Sequence, residues 1–255
     1  MFAPLSRLSD WDRAQGRSYK SAPEITLAFM PRQNLTLFDL DHTLLSGDSD
    51  VLWCDFLIGR GLLNREQFSA RNIDMDARYH AGTVSPREFS EFYVGTLAGR
   101  SVVDCQSLRQ DFLRQEIVPR ITVAARDLVR EHIDAGDIVV LTTATNRFIT
   151  ELTARHLHIE HLIATEPEII DGVFSGKTVG ELNMREGKIT RLNGWLAAND
   201  NAGGMRRDAL HVTAYSDSKN DLPLLKYADT PVAVNPDAQL KAWATEHRHR
   251  VISLS

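Results

Sequence analysis

Asp39 and Asp41 stand one residue apart in Asp39-Leu40-Asp41-His42-Thr43, directly after the apolar run Leu35-Thr36-Leu37-Phe38. Two carboxylates this close repel each other, and packing gives no reason to place them there. On an extended chain they face the same way. Such a pair shares a cation or divides acid–base labour; the plain alternative is a solvated loop with an Asx-turn. A second acidic stretch, Ser216-Asp217-Ser218-Lys219-Asn220-Asp221, follows another apolar run, Leu210-His211-Val212-Thr213-Ala214. Between the two lie Thr142-Thr143-Ala144-Thr145, behind Ile138-Val139-Val140-Leu141, and two lysines beside glycines, Lys177 and Lys188.

The elements that must position these residues alternate. Short β-prone runs at 35–38, 138–141, 210–214 and 231–234, with 251–254 as a last candidate, are separated by helical patterns such as 122–135 and 146–157. That alternation predicts an α/β fold, a three-layer Rossmann-like parallel sheet. Four runs end in Asp, Thr or Asn, and open α/β sheets bind ligands at the carboxyl ends of their strands. Residues 48–118 carry no good strand pattern and read as helices over about 49–59, 64–81, 85–98 and 104–116. Ser85-Pro86-Arg87-Glu88 is a helix start with an N-cap, a first-position Pro and a Glu at the third position. The expected organisation is an N-terminal extension over 1–33, a core of 34–47 and 119–255, and an all-helical cap over 48–118 inserted after the first strand.

Composition narrows the function classes. Hydrophobic residues at 43% and charged residues at 25% are ordinary globular usage. A net charge of −5 argues against a general nucleic-acid binder. Two distant cysteines, Cys54 and Cys105, suit a reducing compartment. No apolar run reaches membrane-span length and no secretory pattern opens the chain, so a cytoplasmic protein with no membrane partner is expected.

The ordered motifs from residue 34 to 254 resemble the haloacid dehalogenase superfamily, within it the phosphoserine-phosphatase-like enzymes, among which some relatives are similar to histidinol phosphatases. The resemblance implies a Mg²⁺-dependent phosphatase with Asp39 as nucleophile, Asp41 as general acid and base, and Thr43 supporting the turn. It places a phosphoryl-binding hydroxyl at Thr143, with Thr142 as the register alternative, and a phosphoryl-neutralising lysine at Lys188, with Lys177 as the rival. Asp39, the main-chain carbonyl of Asp41 and Asp217 would hold the metal, Asp221 would support it through water, and Asn220 would contact the phosphoryl region. Ser216 and Ser218 stand where the family has glycines. A carboxylate nucleophile splits one hard displacement into two easier ones, and the second carboxylate suits an alkoxide leaving group rather than a halide.

The cap bears on the substrate. Phosphoserine phosphatases carry a substrate-binding Glu nine residues after the nucleophile; here that offset gives Asp48, which otherwise caps the next helix. Their cap Arg aligns with Glu91 or Phe92, with Arg87 one helical turn away. An acidic pocket without the Arg suits a small cationic phosphorylated metabolite, histidinol phosphate first and phosphoserine second. Phosphotransfer to an alcohol and a non-catalytic metal- or phosphate-binding protein are the other readings. Trp53, Tyr79, Phe89 and Phe92 read as cap core. His156, His158 and His161 read as a helix end with a solvated face rather than as ligands.

Overall fold

The computed structural model describes residues 32–81, 83–200 and 205–254. Most of the expected N-terminal extension, residues 1–31, lies outside the described residues.

Seven strands form one sheet: β1 (Gln33–Phe38), β2 (Ile138–Asn146), β3 (His161–Ile170), β4 (Val173–Val179), β5 (Leu210–Ser216), β6 (Thr230–Val234) and β7 (Arg250–Ile252). Their order is β4-β3-β2-β1-β5-β6-β7. Every pairing is parallel except β3 with β4. β1 sits at the centre, and Leu35 through Phe38 are all buried, as a parallel strand covered on both faces requires.

The side-chain alternation of β1 sorts the core into two layers. Leu35 and Leu37 pack with residues of α7 (Glu186–Asn199), α8 (Leu222–Tyr227) and α9 (Ala238–Glu246). Phe38 packs with residues of α5 (Val123–Asp134) and α6 (Arg147–His156), and the same cluster takes in Trp53. Helix, sheet and helix layers result, the doubly covered α/β arrangement the alternating pattern predicts.

Between β1 and α5 the chain is helical: α1 (Ser49–Gly59), α2 (Arg65–His80), α3 (Pro86–Val94) and α4 (Cys105–Phe112). Trp53 stacks with Phe56 and meets Phe112 edge-on, and a smaller cluster gathers Cys54, Met75, Phe92 and Tyr93. The side chain of Tyr79 lies outside the described set. The helices expected over 85–98 and 104–116 end early, at Val94 and Phe112, and continue as a tight turn and a wide turn.

This helical insert is tied to the sheet by main-chain bonds. Gly99 N donates to Phe174 O, Phe174 N to Arg100 O and Val102 N to Gly172 O, at 2.9–3.0 Å. Asp171 and Gly172, both at positive φ, make the two-residue turn between β3 and β4. Gly176 faces Ala98 so closely that a Cβ there would come within 2.8 Å of the alanine methyl.

Three stretches differ from the pattern reading. β2 runs on through Thr142–Asn146. β3 begins at His161, so that histidine belongs to a strand, against Trp195, and not to a helix end. α9, capped by Asp237 on Gln239 N and Leu240 N, carries no marked signal in the sequence. No helix among the described residues is long and apolar enough to cross a membrane.

Candidate active site

β1 ends at Phe38, and the chain then turns rather than staying extended. Asp39 N is held by Tyr215 O of β5 at 3.0 Å, and Leu40 O accepts from Thr43, Leu44 and Leu45. His42, at φ 56°, reverses the chain. The two aspartates therefore meet different partners instead of facing one way.

Asp39 is 7% exposed. Its Oδ1 accepts from Lys188 Nζ at 2.7 Å, and the same ammonium donates to Asp221 Oδ2 at 2.6 Å. Lys188, in the first turn of α7, is itself 2% exposed. Burial works to discharge it, but the charges of Asp221 and Asp39 outweigh burial and hold it firmly as an ammonium. Burial raises Asp39 to about 6, and would raise it further without Lys188.

Thr43 Oγ1 lies 3.2 Å from Asp39 Oδ2 and 3.2 Å from Asp217 Oδ1, and accepts from Asp217 N at 3.0 Å. Its one hydrogen serves one carboxylate at a time. Thr43 thus bridges the two acidic segments besides standing in the turn. Burial, then the charge of Asp39, pushes Asp217 up to about 8.

The serine hydroxyls of the Ser216–Asp221 loop hold the loop by hydrogen bonds of their own. Ser216 Oγ donates to Asp221 Oδ2 at 2.8 Å, and Ser218 Oγ accepts from Asn220 N at 3.2 Å. Neither serine needs a positive φ. Asp221 is thereby held against Lys188, and Asn220 lines a cleft of about 400 Å³ with Arg185, Glu186 and Lys219.

Among the described residues, only neutral donors meet Asp41. Ser49 N reaches its Oδ1 at 2.7 Å and Thr145 Oγ1 its Oδ2 at 3.0 Å. Burial, then the charges of Asp48 and Asp39, pushes Asp41 up to about 8. A carboxyl that keeps its proton near neutrality is suited to giving it away. Asp48 caps α1, accepting from Val51 N at 3.0 Å.

Thr143 is fully buried, and its hydroxyl accepts from Thr145 N at 3.2 Å. Thr142 instead meets the Asn183 amide at 3.0 Å. That amide also reaches Thr143 O and Ile163 O, while Asn183 N donates to Thr165 Oγ1. One buried side chain thus ties β2 and β3 to the segment leading into Lys188. Gly187 permits that segment its path, since a Cβ there would lie 2.1 Å from Leu182 O. Lys177 stands exposed on β4.

Sequence reasoning overlooked Thr145, Ser49, Asp50, Asn183 and the hydroxyl of Ser216. Thr145 and Asp50 each lie two residues beyond a residue singled out, and that spacing was an available signal. Asn183 had none. Arg87 donates to Thr178 and to Gly180 O, and Glu91 accepts from Thr178, so both cap residues are engaged with β4 and the residue just beyond it.

Among the described residues no three His, Cys, Asp or Glu side chains form a metal cluster. Asp39 and Asp217, sharing one hydroxyl and both raised first by burial, with the charge of Asp221 adding at Asp39 and that of Asp39 adding at Asp217, offer two carboxylates with one ammonium nearby. That donor set fits a hard divalent cation that takes few protein oxygens.

The haloacid dehalogenase-like hydrolase family profile matches residues 36–226. This chain belongs to that family. It is 38% identical over 215 residues to a histidinol-phosphatase of Neisseria meningitidis serogroup C, a match covering 84% of this chain and 96% of the relative. A phosphoserine phosphatase of Mycobacterium tuberculosis is 33% identical over 217 residues, covering 82% and 67%. Among solved structures, a Bordetella pertussis Tohama I protein of unknown function superposes at TM-score 0.83 with 41% identity, covering 88% of this chain and 100% of that one. A substrate-bound phosphoserine phosphatase superposes at TM-score 0.62 with 15% identity, covering 89% and 95%, a likeness of fold alone. As a haloacid dehalogenase-like hydrolase, the chain presents Asp39 at the carboxyl end of the central strand.

Proposed function

We propose that this hydrolase cleaves small phosphomonoesters with Mg²⁺ through an aspartyl-phosphate on Asp39, and that its substrate is cationic, histidinol phosphate foremost. The observation that carries the reading is the buried Lys188 ammonium between Asp39 and Asp221. It keeps a buried carboxylate ionised for attack and offers positive charge to an arriving phosphoryl group.

In the first step an Asp39 oxygen forms a bond to phosphorus as the ester P–O bond breaks. The leaving alkoxide takes the proton held on Asp41. In the second step Asp41 takes a proton from water, whose oxygen attacks phosphorus and frees Asp39 and inorganic phosphate. Lys188 and the Thr143 hydroxyl serve the phosphoryl oxygens. Asp39, Asp217 and the carbonyl of Asp41 would hold Mg²⁺, which when bound neutralises charge on the transferring group.

The acidic company of Asp41, Asp48 and Asp50, together with the engagement of Arg87 by β4, supports a substrate bearing positive charge. The Neisseria relative named histidinol-phosphatase supports the same choice. Phosphoserine is the second reading, favoured by the Mycobacterium tuberculosis relative of that name. A panel of phosphorylated metabolites with Mg²⁺ tests the order: histidinol phosphate is expected to give the highest kcat/KM. Phosphoserine far above it would reverse the assignment, and no hydrolysis of any ester would reject the function.

A further inference from the structure

α5 ends just before β2 begins, and α6 ends just before β3 begins. The last turns of both helices therefore lie at the end of the sheet away from Asp39. A cavity of about 450 Å³ runs along α5 and takes in the last turn of α6. Its apolar wall is Ile133 and Leu157, with the aliphatic stems of Arg126 and Arg130. That volume is in the range of small-molecule sites, and the cavity shares no lining residue with the site around Asp39.

The charges in this cleft are unevenly matched. Arg130 is paired with Asp127, whereas among the described residues Arg126 meets no carboxylate and donates only to Ile121 O, at 2.7 Å. Asp134 lines the far end, two turns along α5 from Arg126. The end of α6 adds two imidazoles. That helix closes with Ile159 N on Ala154 O at 2.9 Å and His158 N on Arg155 O at 3.1 Å, a closure that turns the residue after the cap left-handed. Glycine is favoured there, yet His158 holds the position at φ 58°. The conformational cost of that choice brings an imidazole to the cleft. His156 lines it too, and its Nε2 meets no partner. Burial, then the charges of Arg126 and His158, lowers the pKa of His156. The potential in the cleft is thus positive, hostile to a further proton and receptive to an anion.

We propose that the cleft between α5 and the end of α6 binds a small organic monoanion, a carboxylate on an apolar body. The carboxylate lies against the Arg126 guanidinium and the His158 imidazole, and the body lies between Ile133 and Leu157. One cation without a carboxylate partner matches one negative charge, and Asp134 disfavours a second. A ligand held there stands apart from the phosphoryl site, so the proposal does not depend on the reaction proposed above.

The test is calorimetric titration of the full chain with 1-naphthoate, in Mg²⁺ and saturating inorganic phosphate. Binding at one site per chain is expected. The uncharged 1-naphthylmethanol, with the same apolar body, is expected to bind at least about tenfold more weakly, the effect of losing one charged hydrogen bond. Arg126→Gln is expected to raise the Kd for 1-naphthoate by about tenfold for the same reason. His158→Gly restores the residue that the helix end favours, so the melting temperature is expected to hold or rise while the Kd rises about fivefold. Omitting phosphate is expected to leave the Kd unchanged. No binding by wild type, equal affinity for the alcohol, or an unchanged Kd in either variant would overturn the proposal. Tighter binding without phosphate would put the probe in the active site and overturn it as well.

Discussion

The two arms of the Asp39–Asp41 pair are one residue apart and keep opposite electrostatic company. Asp39 looks toward α7, where a buried ammonium pins it. Asp41 looks toward α1 and the end of β2, where a main-chain N–H and a hydroxyl meet it and two further carboxylates crowd it. Burial raises both, to about 6 and about 8, and the difference tracks the lysine. One turn of chain thus separates a carboxylate suited to attack from a carboxyl suited to proton transfer. Environment, more than residue type, assigns the roles.

Breaking the Asp39 side has the largest expected effect. Asp39→Asn is expected to lower turnover by at least about 10⁴-fold, as loss of a covalent nucleophile does, with the thermal melting temperature preserved; retained activity would remove the nucleophile assignment. Lys188→Met strands Asp39 and Asp221 without their cation. Denaturant unfolding is expected to show a loss of about 3–5 kcal/mol, along with loss of activity.

Breaking the Asp41 side is expected to be milder and dependent on the leaving group. Asp41→Asn should cost about 10²–10⁴-fold on alkyl phosphates and much less on p-nitrophenyl phosphate, whose leaving group needs no proton. Equal losses on both would contradict the acid role. Thr145→Val removes the hydroxyl common to Asp41 and Asp50, and about a tenfold fall in kcat is expected from one lost hydrogen bond.

The smallest effect is in pH dependence. Asp41 and Asp217 are raised in the folded state, so the native protein binds more protons than the unfolded chain between their ordinary value of 3.8 and about 8. Stability of metal-free protein should therefore fall as pH rises through that window. Mg²⁺ at Asp39 and Asp217 should flatten the fall. Melting temperatures in chelator and in Mg²⁺, from about pH 5 to about pH 8, check both; a slope unchanged by Mg²⁺ would argue against the metal assignment.

Much of the fold was legible because its strands are short apolar runs ending in polar residues. The extent of β3 was not, since its pairing with β2 and β4 comes from tertiary register rather than from a clean local pattern. In the site, Asp39–Thr43 and Asp217–Asp221 are contiguous segments and stand out as such. The choice of Lys188 over Lys177 as the partner of Asp39 depends on a contact across 149 residues that spacing alone does not reveal. Asn183 was illegible for the same reason: it is an ordinary polar residue until topology sets it beside a strand end. Asp48 carries two readings from the sequence, substrate binding by its offset and an N-cap by its position, and the local N-cap accounts for one of its oxygens.

The most direct measurement is capture of the covalent intermediate. Enzyme mixed with histidinol phosphate and Mg²⁺, quenched in acid within the first turnovers and reduced with borohydride, would convert an aspartyl-phosphate to homoserine, located by peptide mass spectrometry. Nucleophilic attack by Asp39 predicts homoserine at position 39, dependent on substrate and absent in Asp39→Asn. Homoserine at position 41, or free phosphate released with residue 39 recovered unmodified throughout, would contradict it.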